Sequence, residues 1–373
     1  MQVLNKPFSD WNHFNPVDIR VGVNSIDLIK EIAFPGRILL VTSNGCTKRG
    51  LTEKVKSKLN KTELIIYDKV SPNPELDDID NAATELKTST FSGIIAVGGG
   101  SVLDFAKVLS VLLYPGQNIS LSRILRSNQP IEWNGKIPLI AIPTTSGTGA
   151  EVTPFATVWD SLTFRKFSLS HSLIYPNYAF LDPLLTLSLP LEITLNTALD
   201  CVSHALESLW NKNRTPLSKV LAVESLNYAL ESLPAVLNNP LDILLRSKIQ
   251  TASLLAGICI SQTKTALAHS ISYPLTLRLS VPHGLACSFT LATLIDVFLI
   301  QNNDEETHLK PLLIQIRNLL ISLNLSERIL KIASYDDITQ LSGEMNDPNR
   351  AGNFAIKTNE GFIPWLLDKS LRS

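Results

Sequence analysis

Two stretches in the second half of this 373-residue chain hold residues whose types and spacing suit metal chemistry. In TALDCVSHALES, Asp200 and His204 stand four apart, which on a helix puts a carboxylate and an imidazole on one face. GICISQTKTALAHSISYPLTLRLSVPHG then carries His269 and His283, with Pro274 and Pro282 between them, so these two belong to different helices or to helix ends. One carboxylate oxygen with three imidazole nitrogens is a complete set for a borderline divalent ion such as Fe(II) or Zn(II), with a position left for water or substrate. Spacing alone leaves the bland alternative standing, in which each histidine is a hydrogen-bonded core residue. Glu207, one turn after His204, either orients a ligand from behind or lies on a solvated helix face, and the second is the simpler expectation.

A second kind of chemistry is written in the first half. IIAVGGGSVLDFAK runs an apolar strand into Gly98, Gly99 and Gly100, after which Ser101 opens a helix with Asp104 at capping-box spacing. Glycines admit a ligand close to the backbone, and the free amides of a helix start attract phosphate. The spacing is not GxGxxG, so the usual dinucleotide fingerprint is absent. IPTTSGTGAEVT offers Thr144, Thr145, Ser146 and Thr148, whose hydroxyls and amides suit a pyrophosphate or ribose. Each string alone fits an ordinary turn; two such turns after strands of one sheet point to a nucleotide.

The elements that must position these groups fall into two kinds. RILLVTS, ELIIYD, GIIAVGGG, PLIAIPTT and YAFLD are short β-rich runs separated by helical stretches, the pattern of a mostly parallel sheet with crossover helices. VWDSLTFRKFSLS, residues 158–170, reads as an antiparallel hairpin appended to that sheet. Beyond Pro190 the β-rich runs stop, and LEITLNTALDCVSHALESLW, SKVLAVESLNYALESL, LRSKIQTASLLAGICI and LKPLLIQIRNLLISL repeat apolar residues every three or four positions. The expected architecture is an α/β N-terminal domain, residues 1–185, and an all-α C-terminal domain, residues 186–373, sharing a cleft. A net charge of −1, with 33 basic and 34 acidic residues interspersed, gives no basic face for nucleic acid and no polybasic membrane anchor. The start lacks a signal-peptide profile and no uninterrupted apolar run reaches about 20 residues, so the expected location is cytoplasmic. Four scattered cysteines without a CxxC spacing are read as buried thiols.

Taken together, GGGSVLDFAK, PTTSGTGAEVT, DCVSHALES, the His269 context and VPHG resemble, in this order and over essentially the whole chain, the iron-dependent (group III) alcohol dehydrogenases. The resemblance implies a dehydroquinate synthase-like α/β domain for NAD(P) and a helical domain whose metal ligands fall on Asp200, His204, His269 and His283. It also implies that the 98–101 and 144–148 loops, with Lys166, contact the cofactor, and that a reduced nicotinamide delivers hydride to an aldehyde whose carbonyl the metal polarises. Many NAD-preferring members end the first strand with Asp, where this chain has Ser43; without that charge NADP(H) is expected as the cofactor, with NAD(H) as the alternative. Several relatives carry a further histidine where Tyr273 stands, which makes Tyr273 a substrate-pocket residue. Thr263, Lys264 and Thr265 replace small or apolar residues before His269. Thr265 is expected to share the helical face of His269, and Lys264 to lie about 140° round. A cation with two hydroxyls beside the metal suits an anionic head group.

With SHALESLWN and NPVDIRVG, this segment resembles the phosphonoacetaldehyde reductase branch of the family, which makes 2-hydroxyethylphosphonate. Reduction of lactaldehyde or succinic semialdehyde is the alternative, followed by a dehydroquinate synthase-like cyclase and by a nonenzymatic metal or nucleotide sensor. The expected partner is a small aldehyde or alcohol, not nucleic acid or membrane, in a homodimer.

Overall fold

The structure, a computed structural model, describes residues 10–32, 34–59, 63–163, 165–301 and 307–372. Two compact units form, one from Asn15–Leu189 and one from Pro190–Ser373 with the N-terminal segment up to Phe14. These boundaries differ from 1–185 and 186–373 for local reasons. The Phe14 N–H donates to Gln262 Oε1 and Gln262 Nε2 donates back to the Phe14 carbonyl, tying that segment to the helical unit. At the other boundary Asp182 caps the turn Pro183–Thr186 by accepting from the Leu184 N–H, which keeps that turn with the strand before it.

In the α/β unit, β1 (Asp18–Val21), β2 (Ile38–Thr42), β3 (Leu64–Tyr67), β4 (Gly93–Gly98), β5 (Leu139–Pro143) and β8 (Tyr178–Leu181) build a six-stranded sheet in the order β1-β8-β5-β4-β2-β3, every neighbouring pair parallel. The runs ILLVT, GIIAVG and LIAIP are buried along their whole length, as strands covered on both faces must be. β1 was not legible as a strand: it is four residues long, carries Asp18 and Arg20, and sits at the sheet edge, where burial demands least. The hairpin forms as β6 (Phe155–Asp160) and β7 (Arg165–Ser170), but as a two-stranded sheet of its own and not as an extension of the large one; Phe164 in its turn lies outside the described residues.

The helices of this unit are α1 (Asn44–Lys48), α2 (Leu51–Lys56), α3 (Leu76–Leu86), α4 (Gly100–Leu112) and α5 (Leu121–Arg126). The hairpin packs on α4 through charge. Lys107, fully buried, donates to the Phe155 carbonyl at 2.7 Å, Thr153 Oγ1 at 3.1 Å and Asp104 Oδ1 at 3.4 Å, while Asp104 Oδ2 accepts from the Thr157 N–H. The expected Ser101–Asp104 capping box is therefore absent. Gly99 is the N-cap, without a side-chain cap, and the Ser101 hydroxyl instead accepts from the Asn73 N–H.

The helical unit contains α6 (Leu191–Leu209), α7 (Pro216–Asn238), α8 (Ile243–Thr263), α9 (Leu267–Leu279), α10 (His283–Ser288), α11 (Leu291–Gln301) and α12 (Lys310–Ser322), followed by shorter helices. α7, α8 and the stretch His283–Gln301 are long and apolar enough to cross a membrane by composition alone. Here their apolar faces join one helical core that includes Leu226, Leu233, Ala252, Ala256, Leu291 and Phe298. α6 runs through the middle of that core and is buried on all sides from Ala198 to Leu209.

α10 lies directly on the α6 backbone because its second residue is glycine. A Cβ at Gly284 would fall 1.7 Å from the Asn196 carbonyl oxygen, while the next amide, of Leu285, donates to Asn196 Oδ1. Backbone cannot yield as a flexible side chain does. Gly284→Ala should therefore destabilise this unit by about 3 kcal/mol or more, the upper end of the cost of over-packing. Denaturant midpoints would be compared with Gly343→Ala, a position with nothing within 4 Å of its would-be Cβ. Equal midpoints would contradict the close approach.

Candidate functional site

Helices α6, α9 and α10 bring the four sequence-selected residues of the helical unit together. Asp200 Oδ1 lies 3.5 Å from His204 Nε2, 3.3 Å from His269 Nε2 and 3.7 Å from His283 Nε2. Two ligands about 2.0–2.1 Å from a tetrahedral ion stand roughly 3.3 Å apart, so these spacings match a shared centre. His204 and His269 stack with ring centroids 4.7 Å apart, and His283 meets His269 edge-on at 5.3 Å. Asp200, His204 and His269 are buried; the His283 side chain is 33% exposed, so the cluster opens at that ring.

Glu207 decides the protonation of this cluster. It is fully buried, contrary to the solvated position expected for it, because α6 has no solvent face at that turn. Its carboxylate accepts from the amides of Ala266 and His269 and faces His269 Nδ1 at 2.7 Å. A carboxylate can only accept, so Nδ1 carries the proton and a neutral ring turns its Nε2 lone pair toward Asp200 Oδ1. Two acceptors at 3.3 Å need positive charge between them. A proton can supply it: burial opposes an imidazolium, but the Glu207 and Asp200 carboxylates outweigh burial and raise the His269 pKa to about 9. Burial likewise opposes ionised Asp200, yet His204, with His269 and His283, holds its carboxyl far below the usual range. A divalent cation meets the same demand for all three rings at once, which one proton cannot, and the donor set fits such an ion.

Two more side chains that sequence reasoning passed over lie here, Cys287 at the cluster and Arg350 beside it on Tyr273. Cys287 Sγ lies 3.7 Å from Asp200 Oδ1, and Asp200, His269, His283 and Cys287 each offer a donor atom within 4.8 Å of the others. The available signal was its spacing: His283 and Cys287 are four apart, as Asp200 and His204 are. Arg350 places its guanidinium 4.3 Å over the Tyr273 ring and donates from Nε to the Tyr273 oxygen at 2.7 Å. Tyr273 in turn lies nearly parallel to His283, centroids 6.1 Å apart, at the open side. Arg350 comes from an irregular segment with no periodic pattern to find it by.

The TKT segment departs from expectation. α8 ends at Thr263 and α9 starts only at Leu267, so Thr265 shares no helical face with His269. Lys264 breaks the helix with φ 63 and ψ 177 and extends an exposed side chain. Asn213, Asn211 and Asn353 donate to the carbonyls of Thr263, Lys264 and Thr265 in turn. The Thr263 hydroxyl is buried against Ser208 and the Cys259 carbonyl, which removes it from any substrate surface.

In the α/β unit, Ser43, the Gly98–Ser101 turn and the Thr144–Thr148 loop follow the carboxyl ends of β2, β4 and β5, three adjacent strands. β2 and β4 flank the point where strand order reverses, the usual nucleotide crevice of open α/β sheets. The two loops touch: a Cβ on Gly99 would meet Thr145 and one on Gly100 would meet Thr148, and the Thr144 N–H donates to the Gly98 carbonyl. The buried Ser146 hydroxyl has no hydrogen-bond partner among the described residues, which fits a loop that awaits a ligand. Ser43 caps α1, accepting from the Cys46 N–H. Lys166 lies over the Trp159 ring at 4.9 Å on the hairpin. Asp104 is committed to Lys107 and the hairpin, and burial raises its carboxyl pKa although Lys107 opposes the rise.

Comparison with known proteins agrees with this two-part arrangement. Residues 16–183 match the family described as iron-containing alcohol dehydrogenase, and residues 194–363 match the C-terminal part of the Fe-containing alcohol dehydrogenase family. The probable alcohol dehydrogenase EutG of Escherichia coli (strain K12) is 35% identical over 225 residues, 60% of this chain and 55% of that protein, so the match spans little more than half of it. Long-chain-alcohol dehydrogenase 1 of Geobacillus thermodenitrificans (strain NG80-2) is 33% identical over 269 residues, 71% of this chain and 67% of that one. The solved sulfoacetaldehyde reductase from Bifidobacterium kashiwanohense, in complex with NAD+, shares the fold with a TM-score of 0.87 over 98% of this chain and 99% of that one, at 24% identity. With both halves matched, the chain belongs to the iron-containing alcohol dehydrogenase family.

Proposed function

We propose that this chain reduces a small anionic aldehyde to a primary alcohol with a divalent metal, Fe(II) foremost, and a reduced nicotinamide cofactor, phosphonoacetaldehyde to 2-hydroxyethylphosphonate being the best candidate. The observation that carries the reading is the convergence of three imidazole Nε2 atoms on one buried carboxylate oxygen. Asp200, His204, His269 and His283 would hold the ion, which supplies Lewis acidity toward charge growing on a carbonyl oxygen while the nicotinamide supplies hydride.

The chain's own residues do the rest. Glu207 keeps the His269 proton on Nδ1 and the lone pair turned inward. At the open side, Arg350 supports an anionic head group: its side chain is 15% exposed, and it pairs with Asp347 and Tyr273 while Nη2 has no partner among the described residues. Lys264 supplies a second cation from a backbone conformation normally left to glycine, strain of about 1–3 kcal/mol that a side chain without use would not justify. Ser43, lacking the carboxylate that repels a 2′-phosphate, supports NADP(H). Four free, buried cysteines agree with a cytoplasmic location.

Three measurements test this. Glu207→Gln should weaken metal affinity by about 10–100-fold in competition with a chromophoric chelator, as loss of an orienting carboxylate does; unchanged affinity would separate Glu207 from the metal. On anaerobic, iron-loaded protein, phosphonoacetaldehyde should be turned over more efficiently than lactaldehyde, succinic semialdehyde or propanal. Arg350→Met should raise KM for it by about tenfold or more, the loss of one charge-assisted hydrogen bond, with propanal unaffected, and Lys264→Met should act in the same direction. Equal efficiency on propanal would sink the anionic-substrate reading. NADPH should outperform NADH, with Ser43→Asp reversing the order; a hundredfold preference of the unmutated protein for NADH would exclude that assignment.

A further inference from the structure

The family's ligand positions do not account for Cys287. We propose that its sulfur is a further ligand of the metal held by Asp200, His204, His269 and His283, making the centre a mixed nitrogen, oxygen and sulfur site. The inference rests on the metal-centre reading above.

Three observations carry it. The first is distance. Cys287 Sγ stands 3.7 Å from the same Asp200 Oδ1 on which the imidazoles converge, and its sulfur lies within 4.8 Å of donor atoms on Asp200, His269 and His283. A sulfur about 2.3 Å and an oxygen about 2.0 Å from one ion stand roughly 3.0 Å apart at a 90° angle and roughly 3.7 Å at 120°, the two angles of a five-coordinate centre. The second is the helix. His283 and Cys287 stand at the start of α10 and one turn later, so they share a face, and the Gly284 contact with Asn196 presses that helix against α6, which carries Asp200 and His204.

The third is that the thiol's other partners are all neutral groups, none of them a competing ion. Its remaining contacts are to the Gly284 carbonyl at 3.4 Å, within its own helix, to Ser288 Oγ at 3.9 Å and to the Ser203 side chain. The other three cysteines have different surroundings: Cys46 accepts from Arg49, Cys201 faces Ser225, and Cys259 donates to the Ser218 carbonyl. Cys287 alone of the four belongs to the ligating cluster found among the described residues.

On binding, the S–H bond breaks, the proton leaves to solvent and a sulfur–metal bond forms, with no change in oxidation state. One carboxylate and one thiolate then neutralise a divalent ion in a buried place, where an uncompensated charge is costly. A sulfur donor also moves the preference of the centre toward thiophilic borderline ions such as Zn(II) and Co(II).

The test uses full-length protein freed of metal and titrated with Co(II). A near-ultraviolet thiolate-to-cobalt charge-transfer band should grow to one equivalent, together with visible d–d bands. Cys287→Ser should lose the charge-transfer band and keep the d–d bands, because the nitrogen and oxygen ligands remain. Wild-type d–d bands without charge transfer would overturn the sulfur ligand and leave the metal centre intact, and so would a charge-transfer band that persists in the variant. Failure of the wild type to bind cobalt would overturn both readings. Should the variant fold poorly, X-ray absorption of zinc-loaded wild type decides alone: a sulfur scatterer at about 2.3 Å supports the proposal, and a shell of nitrogen and oxygen only refutes it.

Discussion

Glu207 and Asp200 place two buried carboxylates on opposite sides of one imidazole, and the arrangement of the helical unit follows from what that ring can do between them. A neutral His269 satisfies Glu207 with its Nδ1 proton and then confronts Asp200 with a lone pair. The cluster is stable only with added positive charge, and the convergence of two further Nε2 atoms on the same oxygen makes a divalent ion a better source than a proton. Helix α6 contributes Asp200, His204 and Glu207 over two turns, so the demand for charge and the group that orients it are built on one rigid element.

The α/β unit meets its own requirement by different means. Phosphate binding needs free amides and close backbone approach, and both are available where β4 and β5 end side by side. Gly99 and Gly100 let the two loops touch through Thr145 and Thr148, contacts that larger residues would block. The buried ion pair of Lys107 and Asp104 fastens the hairpin to α4 immediately behind this turn. The start of α4 is thereby fixed from its far side without a side chain capping its amides.

Much of this was legible in the sequence because it repeats with a period. Strands buried on both faces showed as unbroken apolar runs, and the candidate ligand pair Asp200 and His204 as a helical interval. Features failed to show where burial or chain direction depends on distant residues. Glu207 continues the Asp200–His204 stripe, but a glutamate on a helix is normally solvated, and only the central place of α6 buries it. The turn Gly98–Asp104 has capping-box letters, yet Lys107 and the hairpin claim the carboxylate first. Arg350 meets Tyr273 across 77 residues, from a segment with no pattern of its own.

The TKT segment couples the end of α8 to the start of the helix that carries His269. His269 presents its amide to Glu207 only if α9 begins at Leu267, and α8 must therefore stop within three residues of it. Lys264 makes that break in a conformation costing about 1–3 kcal/mol. Three asparagine side chains hold the carbonyls of residues 263 to 265, and Glu207 holds the amides of Ala266 and His269. At about 1 kcal/mol for a neutral hydrogen bond and somewhat more for those to a carboxylate, this set outweighs the strain. The exposed Lys264 and the start of the helix that carries His269 are thus set by one backbone turn.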